Sequence, residues 1–343
     1  MKGRVIHLDQ VGGREAAALV IDGALHDLLI APQSDAPLPG AIFRAIVDRP
    51  MKGQGGVFVR MPANGSGFLR QVSGLSPGQR VLVQVTGTAE GSKATPVTTR
   101  LLFKSRFCIV TPGAPGLNIS RRIRDEDLRT ELAALAEAGM AGSSEGLILR
   151  SACEAAPDED IARDIAETRA LAEAVLADLD GGPELLVDGP SPHETAWRDW
   201  MDPAPDDLRE GAFETDGVLD LIDEALSDRV SLPGGAFMTV EPTRALVAVD
   251  VNTGPDTSPA AGMKANVAAA RDLPRQLRLR GLGGQIVVDF APISKKDRAV
   301  LDQVLRAAFK GEAAETSLVG WSGLGLYELV RKRDRIPLSE ALA

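Results

Sequence analysis

Cysteine is nearly absent from this chain: Cys108 and Cys153 are the two in 343 residues. Their separation matches no metal-ligand spacing and offers no disulfide framework. Long apolar runs are missing too. No stretch of about 18 apolar residues occurs, so no segment is expected to span a membrane. The opening Met1-Lys2-Gly3-Arg4 turns polar and acidic too soon for a signal peptide, which makes a cytoplasmic address the expectation. Repeats and low-complexity tracts are not seen. Phenylalanines number nine, so each one counts as a candidate for a core or a binding face.

A chain of 343 residues exceeds one ordinary core, and two or more packed units are expected. The composition, 44% hydrophobic and 25% charged, is that of a globular protein. Its net charge of -10 is unevenly spread: residues 154–227 hold 22 acidic and 4 basic side chains, leaving +8 for the rest. Such asymmetry fits a basic working surface joined to an acidic supporting segment, with a scatter of solvated charge as the plainer alternative.

Residues 1–37 read as a hairpin-like start, with alternation over Ala16–Ile21, a turn at Asp22-Gly23 and an apolar run ending before Pro32. From Ala41 to Lys104, five short alternating runs (AIFRAIVD, GGVFVRM, GFLRQV, RVLVQVTG, TTRLLF) predict a small closed β-barrel. Between Phe107 and Asp180, strand candidates FCIVT and GLILRSA accompany a helix over 160–179, with Ile161, Ile165, Leu171, Val175 and Leu179 as its apolar stripe. Residues 181–227 are acidic and Pro-dotted, with a strand candidate at ELLV and a helix around 218–226. From Val230 onward, strand, helix and strand alternate.

In RALVAVDVN, residues 244–252, alternation puts Leu246, Ala248, Asp250 and Asn252 on one face. The run QIVVDFA, residues 285–291, is apolar on both faces until Asp289. Two aspartates at the ends of neighbouring strands form an oxygen site suited to Mg²⁺, which accepts one or two carboxylates and keeps several waters. Each could instead cap a strand or pair with an arginine. Between the strands, a helix over 263–280 carries Lys264, Arg271, Arg275 and Arg278 within about a quarter turn of one another. Val267, Ala270, Leu273 and Leu277 should face the core, and Pro274 should kink the helix. A basic stripe beside carboxylates is what a phosphate backbone requires, although a solvated helix face would look the same.

The segments LPGGAFMTVEPTRALVAVDVNTG, RQLRLRGLGGQIVVDF and LGLYELVRKR together resemble the catalytic region of the ribonuclease E/G family. Upstream, AIFRAIVD, GGVFVRMPANGSGFLR and GSKATPVTT resemble that family's S1-like domain, and LNISRRI and GLILRSA its 5′-sensor region; residues 181–227 match poorly. The resemblance implies an α+β multidomain protein. Its expected parts are an RNase H-like unit from residues 1–37 and 181–227, an S1-like OB barrel at 38–104, a 5′-sensor-like region at 105–180 and a DNase I-like catalytic domain at 228–343. It further implies an endoribonuclease acting on single-stranded RNA and leaving 5′-phosphates. Asp250 and Asp289 would hold Mg²⁺, with Mn²⁺ as an alternative ion, and Asn252 would support them. RNA contacts are expected from Phe58, Phe68 and Lys93 in the barrel, from Arg121, Arg122, Arg150 and Ser151 in the sensor region, and from Arg271, Arg275 and Arg278. The two phenylalanines could instead be core.

Three departures from the family pattern matter. Pro292 stands where a second acidic residue follows the catalytic aspartate. Arg150-Ser151 replaces an Arg-Thr pair, and Glu315 aligns with a second pocket arginine across a two-residue gap. The zinc-binding cysteine pair and small dimerisation domain are not found after Pro337, so no zinc, no zinc-linked dimer and an open oligomeric state are expected. A catalytically inactive RNA-binding protein on the same scaffold, and a nuclease acting on DNA, are the competing functions.

Overall fold

The computed structural model describes residues 2–33, 36–51, 55–70, 74–89 and 93–343. Gln71-Val72 and Gly91-Ser92, which end or open two of the motifs quoted above, lie outside the described residues. The chain divides into two compact units, one made of residues 1–33 with 207–343 and the other of residues 34–206.

The first unit begins with an antiparallel meander, β1 (Arg4–Val11), β2 (Arg14–Ile21) and β3 (Ala24–Ile30). Asp22 and Gly23 both have positive φ, +50° and +81°, the backbone a tight two-residue hairpin turn requires. The predicted hairpin is β2–β3. β1 carries no strand signal of its own, because its run, RVIHLDQV, mixes charged and apolar residues without clean alternation.

In the second unit, β4 (Ile42–Met51), β5 (Gly56–Arg60), β6 (Ser66–Arg70), β7 (Arg80–Val85) and β8 (Thr95–Thr98) pair in the order β4-β5-β6-β8-β7, and β7 returns to β4. This is a closed, OB-like barrel filled by Phe43, Val47, Val57, Val59, Leu69, Val83 and Val97. The fifth strand is Thr95–Thr98, earlier than the TTRLLF expected. Phe103 instead begins β9 (Phe103–Lys104), which joins β10 (Cys108–Thr111), β11 (Leu117–Ile119) and β12 (Gly146–Leu149) in a second sheet.

The helices α1 (Glu126–Gly139) and α2 (Asp158–Ala177) share a hydrophobic core with that sheet. Asp125 caps α1 by accepting from the backbone N–H of Asp127 and Leu128. The buried stripe of α2 is Ile161, Ile165, Thr168, Ala172 and Val175, spaced by four, three, four and three residues. Leu171 and Leu179, read as part of it, are exposed: Leu171 lies about 100° around the helix from Ala172. The ELLV strand is β13 (Glu184–Val187), which pairs with β4 of the barrel. It is followed by α3 (Pro192–Asp199), which the sequence reading missed despite a capping box between Ser191 and Glu194.

The chain then returns to the first unit. β14 (Asp207–Glu210) pairs parallel with β1, and α4 (Val218–Leu226) packs with Leu25 and Leu28 of the meander. Residues 181–206 thus sit in the unit that holds the barrel, and the acidic stretch meets the N-terminal sheet only from residue 207. The remainder is β15 (Arg229–Ser231), β16 (Phe237–Pro242), β17 (Val247–Asn252), α5 (Ala261–Leu279), β18 (Gly284–Asp289), α6 (Lys295–Ala308), β19 (Thr316–Trp321), β20 (Tyr327–Arg331) and α7 (Leu338–Leu342). Its strands form one six-stranded sheet, β15-β16-β17-β18-β20-β19, with α5 and α6 packed on one face. Pro274 sits inside α5, and the helix runs on through it to Leu279. No helix among the described residues is long and apolar enough to cross a membrane.

Candidate active site

β17 and β18 run parallel and in register, joined by α5, and Asp250 pairs directly with Asp289. Val247, Val249 and Val251 on β17, with Ile286 and Val288 on β18, point into the core under α5 and α6. Period-two alternation therefore turns Asp250, Asn252 and Asp289 to the opposite face, where both aspartates are exposed. Neighbouring strands lie about 4.8 Å apart, so the two carboxylates emerge side by side. Asn252 Nδ2 donates to Asp250 Oδ2 at 2.6 Å, which fixes that carboxylate and leaves its other oxygen free to coordinate. Among the described residues no group of three or more His, Cys, Asp or Glu is placed to hold a metal ion. A pair of carboxylate donors suits an ion that keeps most of its own waters, as Mg²⁺ does, rather than a closed protein cage.

The end of β18 is pinned by a residue the sequence reading missed. Asn266, fully buried on α5, donates through Nδ2 to the Ala291 carbonyl at 2.8 Å and accepts from the Ala291 N–H at 2.9 Å. Its sequence signal is a polar side chain between Ala265 and Ala269-Ala270 on an otherwise apolar face. Gly262 allows close contact there, since a Cβ would stand 2.7 Å from the Pro292 carbonyl. On the other side, Gly254 (φ +63°) passes so close to the β15–β16 turn that a Cβ would meet the Gly235 carbonyl at 2.1 Å.

The basic stripe of α5 is not beside the carboxylates as expected, because the helix covers the buried face of the sheet and the aspartates occupy the other. Arg275 pairs with Asp272 and donates to the Leu25 carbonyl at 2.8 Å. Arg278 pairs with Glu312 and donates to the His26 carbonyl at 2.9 Å. These two guanidinium groups fasten α5 to the N-terminal meander. Arg271 is exposed, and Lys264, near the first turn, lies 3.7 Å from Asp256.

On the barrel, Phe58 and Phe68 are direct cross-strand partners, with centroids 5.1 Å apart. Both are half-buried, while Val57, Val59 and Leu69 point inward, so the rings lie on the outer face. Gly56 makes room for them, because a Cβ there would reach within 2.6 Å of the Phe68 ring. Arg49 lies over Phe58 at 5.2 Å, and Arg60, Arg70 and Lys93 are exposed.

Arg150 and Ser151 follow β12, and both already have anionic partners. Arg150 Nη2 contacts Asp199 Oδ1 at 2.6 Å, its Nη1 donates to the Ser105 carbonyl at 2.7 Å, and Ser151 Oγ donates to Asp202. Burial pushes the Asp199 carboxyl up, but the Arg198 and Arg150 guanidinium groups outweigh it and hold the group below the usual carboxylate range. Arg121 and Arg122 are exposed. Glu315 is exposed just ahead of β19, in the first unit.

A sequence profile described as "Ribonuclease E/G family" matches residues 103–209 and 206–334. "Ribonuclease E" of Nostoc sp. (strain PCC 7120 / SAG 25.82 / UTEX 2576) is 33% identical over 76% of this chain and 44% of its own length. "Ribonuclease E" of Synechocystis sp. (strain ATCC 27184 / PCC 6803 / Kazusa) is 31% identical over 81% of this chain and 48% of its own. "Ribonuclease G" of Escherichia coli (strain K12) is 28% identical over 95% of this chain and 79% of its own. The chain therefore spans about half the length of those two ribonucleases E and more of the ribonuclease G. With the profile matching well over half of its residues, the chain belongs to the ribonuclease E/G family.

Proposed function

We propose that this protein is an endoribonuclease that hydrolyses single-stranded RNA with a divalent metal ion, Mg²⁺ in the first instance, and leaves 5′-phosphate products. The observation that carries the reading is the direct pairing of Asp250 with Asp289 on an exposed sheet face. Like charges opposite one another on adjacent strands destabilise a sheet unless something binds between them. Asp250 and Asp289 would hold the ion, and Asn252 orients Asp250. A bound ion would polarise the phosphodiester and lower the pKa of a water. The relatives named ribonuclease support RNA as the substrate, and the Phe58–Phe68 pair offers a stacking surface to unpaired bases regardless of sequence.

In this reading the barrel is the S1-like domain, residues 105–180 the 5′-sensor-like region, residues 228–343 the DNase I-like catalytic domain, and the N-terminal meander part of an RNase H-like unit. Lys93, Arg121, Arg122 and Arg271 remain proposed RNA contacts, each with an exposed side chain. The decisive experiment incubates labelled single-stranded RNA, and DNA of the same sequence, with the protein in Mg²⁺ or EDTA. RNA should be cut only with Mg²⁺, and Asp250→Asn and Asp289→Asn should each lower the rate at least a hundredfold while binding survives. A folded variant that cuts at near the wild-type rate would refute the metal assignment.

A further inference from the structure

The register of the six-stranded sheet carries a row of residues across the face that bears the aspartates. Arg229 on β15 pairs with Thr239 on β16, Thr239 with Asp250 on β17, and Asp250 with Asp289 on β18. The next row is Ser231, Phe237 and Asn252. Directly paired residues share a face, so Arg229 and Phe237 stand on the same side of the sheet as the carboxylates. In these two rows Arg229 is the single cation.

Its setting is unusual for a cation near carboxylates. Arg229 is exposed, and no carboxylate among the described residues pairs with its guanidinium. The group rests instead on the Phe237 ring, with Cζ 3.5 Å from the centroid, a stacking distance. Phe237 itself is half-buried and stands opposite Asn252, whose amide holds Asp250. The ring fixes the planar head, and its N–H groups are left for a ligand. By strand spacing, the Arg229 backbone lies about 10 Å from that of Asp250, two strands away.

We propose that Arg229, held on Phe237, binds a phosphate of the RNA strand neighbouring the one engaged at Asp250 and Asp289. This rests on the endoribonuclease reading and deepens it. A guanidinium gives two parallel N–H donors to a phosphate, a geometry lysine does not reproduce. A cation beyond the carboxylates also offsets their repulsion of the incoming backbone without entering the reaction. The contact belongs to binding rather than chemistry, so it should act mainly on affinity and KM. Thr239, between Arg229 and Asp250, is uncharged; the exposed Glu241 shares this face but lies one row away, opposite Ala248.

The test uses the full chain, a single-stranded oligoribonucleotide, and two measurements: binding in EDTA over a range of salt, and cleavage in Mg²⁺. Arg229→Ala should weaken binding and raise KM at least fivefold, leave kcat within about threefold, and reduce the slope of log affinity against log salt by about 0.7, the value for one contact to a single strand. Arg229→Lys should keep the slope and recover part of the affinity, and Phe237→Leu should lose affinity with the slope kept. If wild type binds and cuts RNA while Arg229→Ala matches it in affinity, KM and salt slope, the subsite is refuted and the endoribonuclease reading stands. A fall in kcat with unchanged affinity would also overturn it. If wild type neither binds nor cuts RNA, both readings fall. Arg229 is exposed on a three-residue edge strand, so its variants should fold, and they decide the matter even if Phe237→Leu does not.

Discussion

Replacing Asp199 and Asp202 together by asparagine should change how this protein responds to the 5′ end of its substrate. In the region proposed as a 5′ sensor, Arg150 and Ser151 would have to receive a terminal phosphate, which carries nearly two negative charges. Both are engaged by carboxylates of the same unit, Arg150 by Asp199 at 2.6 Å and Ser151 by Asp202. Asp199 is held a second time by Arg198, whose Nη2 lies 2.7 Å from Oδ2. A contact pair of unit charges is worth about 4 kcal/mol at an effective dielectric near 20. The side chains of Arg150 and Asp199 are 24% and 33% exposed, and solvent screening lowers that to about 1–2 kcal/mol. An arriving monophosphate must replace that contact while facing two anions, so its net gain over a hydroxyl should stay below about 1.4 kcal/mol, a factor of ten. The assay compares initial cleavage rates on two oligoribonucleotides that differ only in a 5′-monophosphate or a 5′-hydroxyl. Wild type should favour the monophosphate less than tenfold, and the double asparagine variant should favour it several times more strongly than wild type does. A preference of tenfold or more in wild type, or no change in the variant, would refute the reasoning.

Other outcomes follow from the same geometry. Replacing Phe58 or Phe68 by alanine should weaken single-stranded RNA binding by about 1–3 kcal/mol each, read by titration, with little change in thermal midpoint because the rings lie outside the barrel core. Asn266→Ala removes both partners of Ala291 from a buried site and should cost about 2–3 kcal/mol in urea unfolding, with cleavage of the still-folded protein also reduced. Burial pushes the thiols of Cys108 and Cys153 up, to about 11 and about 12, so neither should react with a disulfide reagent at pH 8 until the protein is unfolded.

Alternation and helical period made much of this fold legible. The β17 run VAVDVN turns its valines inward, and the same rule turns Asp250 and Asn252 out. The helix read over 263–280 is α5 over Ala261–Leu279, with Ala270, Leu273 and Leu277 buried. What escaped were elements with little apolar signal. β14, DLRE, is a strand because β1 offers it a parallel edge, a fact its own residues do not carry. The fifth barrel strand is TPVT rather than TTRLLF, although TTRLLF alternates better, because Phe103 is claimed by the neighbouring sheet.

At the site, a sequence orders residues along an element but does not reveal what faces them from elsewhere. The arginines of α5 do share an angular sector, as their spacing required. Whether they meet RNA depends on the Leu25 and His26 carbonyls and on Glu312, which arrive from distant parts of the chain and consume Arg275 and Arg278. Arg150 likewise looked like a vacant anion receptor until Asp199, 49 residues on, came to rest against it. Arg229 is the opposite case. Its position before LPGG suggested nothing, because only the β15–β16 register brings it onto Phe237 and into the row of Asp250 and Asp289. Cations that matter to a phosphate-binding surface are those the fold leaves unspent. Of the arginines discussed on β15 and α5, Arg229 and the exposed Arg271 meet that criterion, while Arg275 and Arg278 hold the protein together.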